Sequence, residues 1–325
     1  MVGLAAVILD QLLTRRLLVL SGKGGVGKSV VGSALALAAT RRGKRVLMVE
    51  IDTPAVAEAA RYLGALPVGR KETEVLPGLF TVNLDPAQVM EEYVRHTVRF
   101  EVLARKILDN PIYHRFLAAA PGLKELMVLG KIMMLEEAKD GWSRRPRYDL
   151  VVVDAPATGH GLSFLKVPGA AAEAVPVGPV GTNARRLLAL LRDPSRTALA
   201  VVAVPEEMAV VEALEFTESA AAEVGIEVVA LFLNACHERR FTAAQEAEVL
   251  RLGADQARGR LADGSSLGAA LVAARHHIRR RKLTQFYEKR LRQAVELPVV
   301  SLPYLFQDEI GPAAIRLLAD RLEAA

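Results

Sequence analysis

The sequence predicts an α/β fold built on a doubly wound, mostly parallel sheet of about seven to eight strands. Short apolar runs alternate along the chain with amphipathic stretches, as buried parallel strands alternate with the helices that cover them. A glycine-rich segment, Gly22–Ser29, lies between the first apolar run and the next amphipathic stretch, in a strand-turn-helix context. With 325 residues, 51% of them hydrophobic, the chain can bury a large core, and we expect one domain over residues 1–325.

The apolar runs define the predicted strands. They are Leu17–Leu20, Val46–Val49, Leu79–Leu84, Leu150–Val153, Leu199–Val204, Val228–Leu233 and Val299–Leu302. The stretches with helical spacing are Lys28–Arg42, Pro54–Leu63, Glu206–Val224, Ala243–Leu261, Leu267 to about Arg292, and Pro312–Leu322. In such a fold the ligand binds beyond the carboxyl ends of the strands.

One interval breaks the alternation. Residues 86–147 contain no convincing strand and read as helical material, which predicts a helical insertion subdomain. The stretch from Ser163 to Asp193, with prolines at 168, 176 and 179, is expected to be more irregular, and residues 162–195 are a candidate to join that subdomain.

The segment 22–29 satisfies the pattern G-x-x-x-x-G-K-[ST] at every fixed position. Its glycines let backbone N–H groups converge on phosphate oxygens, and the following helix adds its positive N-terminal end. A lysine in this motif reaches the terminal phosphates, and a serine hydroxyl ligates a bridging Mg²⁺. We therefore predict ATP and Mg²⁺ as ligands, with Ser29 on the metal and nucleotide contacts from Gly22, Lys23, Gly24, Gly25, Val26, Gly27, Lys28, Ser29 and Val30.

A second lysine, Lys23, follows the first glycine, where an ordinary phosphate-binding loop needs no charge. This pattern resembles the deviant Walker A signature of the P-loop ATPases that include ParA and MinD, the nitrogenase iron protein, the arsenical-pump ATPase and the tail-anchored-protein targeting ATPase. In those proteins the extra lysine crosses a dimer interface to the partner's nucleotide. The resemblance implies a catalytic role for Lys23 and either a homodimer or a heterodimer with a paralogous chain.

The predicted strand 150–153 is followed by Asp154, the place of a Walker B aspartate that acts on Mg²⁺, often through water. The residues after it resemble the switch of the arsenical-pump and tail-anchored-protein targeting ATPases. Thr158, Gly159 and His160 match that switch in place, although Pro156 comes one position early. The resemblance implies a Mg²⁺-dependent ATPase of this family and puts Gly159 among the catalytic residues.

The resemblance continues toward the carboxyl terminus. Asn234 closes the strand 228–233 and matches the family's adenine-reading asparagine. Pro303 follows the strand 299–302 and matches the proline-bearing loop beside the base. The resemblance therefore implies that both residues bind the nucleotide.

The chain departs from the family after the second strand. Where the family has Asp-Pro-Ala, whose Asp orients the attacking water, this chain reads Glu50-Ile51-Asp52-Thr53-Pro54-Ala55. One alignment puts Thr53 on the catalytic position. In the other, Glu50 and Asp52 correspond to the two acidic residues of the Asp-x-Asp motif of ParA and MinD. Because threonine cannot act as a base at neutral pH, we predict that Asp52 holds the water. A further departure is Val30, where the family usually has threonine.

The lone cysteine, Cys236, cannot form an internal disulfide, and no paired cysteines exist to bridge a zinc ion or to bind arsenite. We therefore expect no structural zinc. The apolar segment Leu4–Leu13 is too short to span a membrane and lacks the features of a signal peptide, so we expect a cytoplasmic protein.

The net charge is +5, and many of the cations lie in the segment from His276 to Arg292. This segment is a candidate anion-binding face, but a solvated helix face is the simpler interpretation. Aromatic residues make up only 5% of the chain, so we do not expect a nucleic-acid partner.

Within the helical interval, Leu126, Met127, Met133 and Met134 recur at helical spacing. Flexible thioethers suit a surface that accepts varied apolar partners, and the resembling targeting ATPases have a methionine-rich groove for a transmembrane helix. The same spacing is also typical of an ordinary helical core.

Three functions follow from these observations. The first is a dimeric switch ATPase of the arsenical-pump and targeting type, which couples ATP hydrolysis to binding and release of an apolar, transmembrane-helix-like client or membrane partner. The second is a positioning ATPase similar to ParA or MinD. The third is an ATP-binding scaffold with little hydrolysis.

Overall fold

The computed structural model describes residues 3–51, 58–65, 71–98, 101–111, 122–141, 144–257 and 266–324. The strands in chain order are β1 Leu17–Gly22, β2 Val46–Ile51, β3 Thr73–Leu76, β4 Leu79–Leu84, β5 Leu150–Asp154, β6 Thr197–Ala203, β7 Val228–Cys236 and β8 Val299–Pro303. The helices are α1 Leu4–Leu13, α2 Lys28–Arg41, α3 Glu58–Tyr62, α4 Pro86–Thr97, α5 Glu101–Leu108, α6 Leu123–Glu137, α7 Thr158–Ala174, α8 Gly178–Arg192, α9 Glu207–Ser219, α10 Ala243–Ala257, α11 Ser266–Ala294 and α12 Pro312–Glu323.

The eight strands form one sheet in the order β3-β4-β2-β5-β1-β6-β7-β8. All neighbouring pairs are parallel except β3 and β4, which are antiparallel. The predicted fold class is therefore confirmed. Strand β1 lies between β5 and β6, where the winding of the chain changes direction, and the loop after such a strand is the expected ligand site.

Each central strand sends alternate side chains to two separate cores. In β1, Leu17 and Val19 face one core, which also contains buried residues of α6, α7, α8 and α9. Leu18 and Leu20 face the other, which contains residues of α1, α2 and α12. The apolar runs of the sequence reflect this burial on both faces.

Helix α6 contacts the sheet as well as the neighbouring helices. It packs against α4, α7 and α8, and its residues Leu126, Leu129 and Ile132 are buried in the core with the strands. Glu136 is fully buried and accepts hydrogen bonds from the guanidinium groups of Arg16 and Arg196, at the amino ends of β1 and β6. The described part of the interval 86–147 is thus helical, and its last helix is anchored to the main sheet.

The expectation that the stretch from Ser163 to Asp193 is irregular was wrong. Residues 158–174 and 178–192 form α7 and α8, with Pro168 inside the first helix. A proline within a helix removes one backbone hydrogen bond. Here Phe164 and Leu165 are buried in the core, and this packing stabilises the helix despite the proline.

The sequence analysis also missed the edge strand β3. It pairs with β4 across the turn at Pro77 and Gly78, a dipeptide that is a known turn signal. Helix α1 packs against α12 and α2. Among the described residues, no helix is both long and apolar enough to cross a membrane.

Candidate nucleotide site

The phosphate-binding loop, residues 22–29, connects β1 to α2 in the conformation that its glycines permit. Gly22 has a φ of 154°, and a Cβ there would lie 2.2 Å from the carbonyl oxygen of Val202 on β6. Gly27 has a φ of 88° at the start of α2, and a Cβ there would lie 2.4 Å from the Asn234 side-chain nitrogen. Any larger residue would displace the loop from both neighbours.

Lys28 lies inside the loop. Its Nζ donates to the carbonyl oxygens of Gly22 at 3.2 Å and Lys23 at 3.3 Å. Burial lowers the pKa of Lys28, while the nearby Asp154 carboxylate opposes this shift. A half-buried ammonium whose present partners are neutral carbonyls is well suited to bind phosphate oxygens in their place.

Ser29 and Asp154 meet at the amino end of α2. The Ser29 hydroxyl donates to Asp154 Oδ2 at 2.5 Å, and Asp154 Oδ1 is buried without a hydrogen-bond partner among the described residues. Burial raises the pKa of Asp154, whereas the bond from Ser29 and the charge of Lys28 lower it. A hydroxyl and a carboxylate with spare acceptor capacity are ligands that Mg²⁺ prefers, so these residues fit the predicted metal.

A second carboxylate, Glu50, lies on the next strand at the same level. Glu50 and Asp154 are register partners on β2 and β5, and Glu50 is fully buried. Its Oε1 accepts from the backbone N–H of Ala59 at 3.1 Å, and Oε2 has no partner among the described residues. Burial raises the pKa of Glu50 to about 7, with a smaller opposing effect from the Ala59 bond and a further rise from Asp154.

Lys23 points along the outside of the loop rather than into it. Its ammonium forms a 2.6 Å ion pair with Glu212 on α9 of the same chain, and the two side chains are 36% and 29% exposed. Nothing in the sequence pattern singled out Glu212, because the contact joins residues far apart in the chain.

Asn234 supports the loop from β7. Its side-chain nitrogen donates to the carbonyl oxygen of Val26 at 3.0 Å. The next residue, Ala235, has a φ of 56°, in the left-handed region that non-glycine residues rarely adopt. Such strain is concentrated at functional sites.

A cavity of about 490 Å³ opens between the outer side of the loop and the ends of β6, β7 and β8. Its walls include Lys23 to Val26, the start of α9, and five residues that the sequence analysis did not assign to the site: His237, His276, Arg280, Tyr304 and Phe306. Pro303 is not in this wall, because it lines a separate surface depression with Leu317 and Arg321. The structure therefore brings Asn234 to the loop but places Pro303 outside the cavity.

The aromatic wall of this cavity is held together by ring contacts. The His237 ring stacks on Tyr304 at 4.8 Å between centroids, and its Nδ1 lies 3.5 Å from Nδ1 of His277. The Arg240 guanidinium lies 3.8 Å above the Phe306 ring. Burial and the neighbouring His277 and Arg280 lower the pKa of His237, so a neutral, flat imidazole faces the cavity at neutral pH.

The remaining predicted residues are either outside the described residues or only partly described. Asp52 and Thr53, the two candidates for the water-positioning role, lie outside the described residues. Gly159 is exposed near the start of α7, and the side chains of Thr158 and His160 are not described. Val30 is half-buried in the first turn of α2 and contacts the core around β1.

The comparison with known protein families identifies the family of the chain. Residues 15–176, which contain the phosphate-binding loop, Asp154 and the segment after it, match the family model of the anion-transporting ATPases. The chain belongs to this family. Membership implies that the chain binds a nucleotide, and the segment 22–29 lies within the matched residues.

Individual relatives agree with this assignment. The chain is 28% identical over 302 residues to the ATPase BagA of Mycobacterium tuberculosis, and the match covers 88% of each protein. It is 27% identical over 232 residues to the arsenical pump-driving ATPase of Acidiphilium multivorum, covering 66% of this chain and 38% of that one. It is 26% identical over 200 residues to the arsenical pump-driving ATPase of Escherichia coli, covering 56% and 33%.

Proposed function

We propose that this anion-transporting ATPase family member hydrolyses ATP with Mg²⁺ and closes as a dimer around the nucleotide. In this proposal, closure alters a surface that binds an apolar helical client or a membrane partner. The observation that supports it most strongly is the pairing of a complete phosphate-binding loop with Lys23, whose partly exposed ammonium lies at the outer edge of that loop.

The chemistry of the site supports hydrolysis. The loop N–H groups and Lys28 would bind and orient the phosphates, while Ser29 and Asp154 would hold the metal. Bound Mg²⁺ would neutralise the charge that develops on the phosphates during transfer. The side chains of His237, Tyr304 and Phe306 form an aromatic wall, in which Phe306 lies edge-to-face against the other two rings, and this wall would exclude water from one side of the nucleotide.

The dimer proposal rests on where Lys23 lies. A lysine that serves its own phosphates would point inward as Lys28 does, yet Lys23 extends outward to α9. A second copy or a paralogous chain that docks over the loop would bring its nucleotide within reach of this ammonium. Glu212 would then release Lys23 to the partner's phosphates, an exchange of one anionic partner for another.

The client surface in this proposal is a second cavity, of about 450 Å³, between α4, α6 and α8. The predicted groove residues Leu126, Met127, Met133 and Met134 all line it, together with Tyr93, Gly130, Val180 and Leu187. Leu126 and Met133 are buried at 3% and 5% exposure, whereas Met134 is 59% exposed. The wall is thus partly core and partly open surface, and its apolar character suits an apolar helix.

The central test compares two lysines of one loop. Lys28→Ala should weaken ATP binding roughly 10-fold to 100-fold, because the phosphates lose their nearest charge. Lys23→Ala should leave binding within a few-fold but abolish ATP-induced dimerisation and steady-state hydrolysis. Binding is measured by calorimetry, dimerisation by sedimentation velocity, and hydrolysis by phosphate release.

Lys139→Ala, which removes an exposed lysine distant from the loop, is the matched control. Full hydrolysis by the Lys23→Ala variant would refute the dimer mechanism. Tight ATP binding by the wild-type protein without measurable hydrolysis would instead indicate a scaffold.

The water-positioning role of Asp52 remains a prediction. Asp52→Asn should lower the maximal hydrolysis rate roughly 100-fold or more while ATP affinity stays within a few-fold, because a carboxylate can orient the water and accept its proton. Thr53→Val on the adjacent residue is the control in single-turnover assays. A larger loss in Thr53→Val than in Asp52→Asn would support the other alignment.

A further inference from the structure

Helix α11 carries an unusual charge distribution. It contains eight lysines and arginines but one acidic residue, Glu288. Glu288 is already occupied, since it pairs with Arg292 at 2.9 Å and accepts from Ser301 at 3.0 Å. The rest of the helix therefore has no acidic residue of its own to balance its cations.

The cations are sorted by face. The side of α11 that faces the protein buries His277, Thr284, Tyr287 and Leu291. The opposite side exposes Arg275, Arg279, Lys282, Phe286 and Lys289, which are spaced by four, three, four and three residues and so form one continuous row. We call these five residues the basic stripe. It spans about 21 Å at 1.5 Å per residue.

Three cations of the stripe have no ion-pair partner among the described residues, unlike some other exposed cations. Elsewhere, exposed arginines such as Arg41, Arg45 and Arg251 form ion pairs within the chain. Within the described part of the chain, Arg279, Lys282 and Lys289 form no ion pair. An unpaired row of cations favours binding to a surface of negative charge.

The stripe also carries apolar side chains that point outward. Phe286 is 59% exposed in its middle, and Val272, one turn before Arg275, is 57% exposed. Leu267, at the start of the helix, is 50% exposed. Cations that flank exposed apolar side chains on one helix face are the pattern of a helix that lies in a membrane interface, where headgroups meet the cations and acyl chains meet the apolar groups.

We propose that the basic stripe of α11 docks this protein on an anionic phospholipid surface. Each cation near such a surface contributes to the binding free energy, and Phe286 enters the boundary between headgroups and acyl chains. A nucleic-acid duplex would satisfy the cations, but its phosphate backbone offers no apolar environment for Val272 and Phe286. The stripe is separate from the groove on α6, and the proposed docking does not require a nucleotide.

The test is flotation of the full-length protein, without nucleotide, with vesicles of phosphatidylglycerol and phosphatidylcholine in equal parts. The protein should bind these vesicles, bind pure phosphatidylcholine vesicles weakly, and lose binding as salt rises. The triple variant Arg279→Glu, Lys282→Glu, Lys289→Glu should bind the anionic vesicles on the order of 100-fold more weakly. The control triple variant Lys124→Glu, Lys139→Glu, Arg316→Glu has the same net charge and should bind within a few-fold of wild type.

A second measurement does not depend on the triple variant. Phe286→Trp should give a blue shift of tryptophan fluorescence with anionic vesicles, because the ring enters the interface. If both triple variants lose vesicle binding equally, general electrostatic attraction rather than the basic stripe causes the binding, and the proposal is refuted. Tighter binding to duplex DNA or to an acidic protein than to the vesicles, at equal ionic strength and lost in the stripe variant, would refute the lipid partner. An unshifted tryptophan spectrum of the Phe286→Trp variant on vesicles that it binds would refute it as well.

Discussion

At the scale of single residues, two buried carboxylate oxygens that have no partner among the described residues lie at the carboxyl ends of neighbouring strands. They are Asp154 Oδ1 on β5 and Glu50 Oε2 on β2, and the two residues are register partners. Buried polar atoms are nearly always bonded, so a pair of exceptions on one face of the sheet indicates a place that binds water, metal or ligand. The sequence predicted Ser29 and Asp154 because their chemistry is local to a motif. It named Glu50 only within one of two alignments, because the proximity of Glu50 to Asp154 depends on the register between β2 and β5.

Glu50 gives a pH prediction for the protein without nucleotide or Mg²⁺. Its pKa is about 7 in the folded state and near 4.5 when exposed, so the folded protein holds the proton more tightly. The free energy of unfolding is therefore highest below the pKa of the exposed group. It falls by up to about 3 kcal/mol as the pH rises through the pKa of the folded state. Urea unfolding between pH 5 and 8 should show this fall, and Glu50→Gln should remove most of it.

The control for this experiment is Glu215→Gln, which changes an exposed carboxylate on α9. Asp154, whose pKa is also raised by burial, leaves a residual slope of the same sign. If the free energy of unfolding of Glu50→Gln falls with pH as steeply as that of the wild type, Glu50 is ionised at low pH in the folded protein.

At the scale of elements, the sequence predicted which segments are helical better than which faces are buried. The period of α6 was clear, but Met133 and Met134 are neighbours in sequence with 5% and 59% exposure. Their orientation is set by the packing of α6 against α4, α7 and α8, which no local pattern contains. The same reason explains the error over residues 163–193. The prolines there suggested loops, whereas tertiary contacts stabilise helices.

The methionines of α6 give a paired prediction. Met134→Asp should fold normally, because the side chain is exposed, yet abolish binding of an apolar helical peptide if the cavity is the client site. Met133→Asp should lower the melting temperature sharply, because it buries an unpaired carboxylate at a cost of several kcal/mol. Leu250→Asp, a change at an exposed leucine on α10, is the control for general surface apolarity. Peptide binding that survives Met134→Asp would place the client elsewhere.

At the scale of the whole molecule, the phosphate-binding loop follows a central strand of the sheet, and the proposed dimer would form over this loop. The Lys23–Glu212 pair stabilises the chain in which Lys23 is turned toward its own α9. In the proposed mechanism, this pair must break before Lys23 can reach a partner's nucleotide. Because both side chains are about one-third exposed, the pair contributes only a fraction of a kcal/mol to about 1 kcal/mol.

Glu212→Gln should therefore favour closure. The concentration of a non-hydrolysable ATP analogue that gives half-maximal dimerisation, measured by sedimentation velocity, should fall roughly 2-fold to 5-fold. Glu215→Gln on the same helix should leave it unchanged, and Glu212→Gln combined with Lys23→Ala should not dimerise. If Glu212→Gln instead raises the required concentration, Glu212 contributes to the closed dimer rather than to the separate chain. The sign of this one shift decides whether the ion pair restrains Lys23 or forms part of the active arrangement.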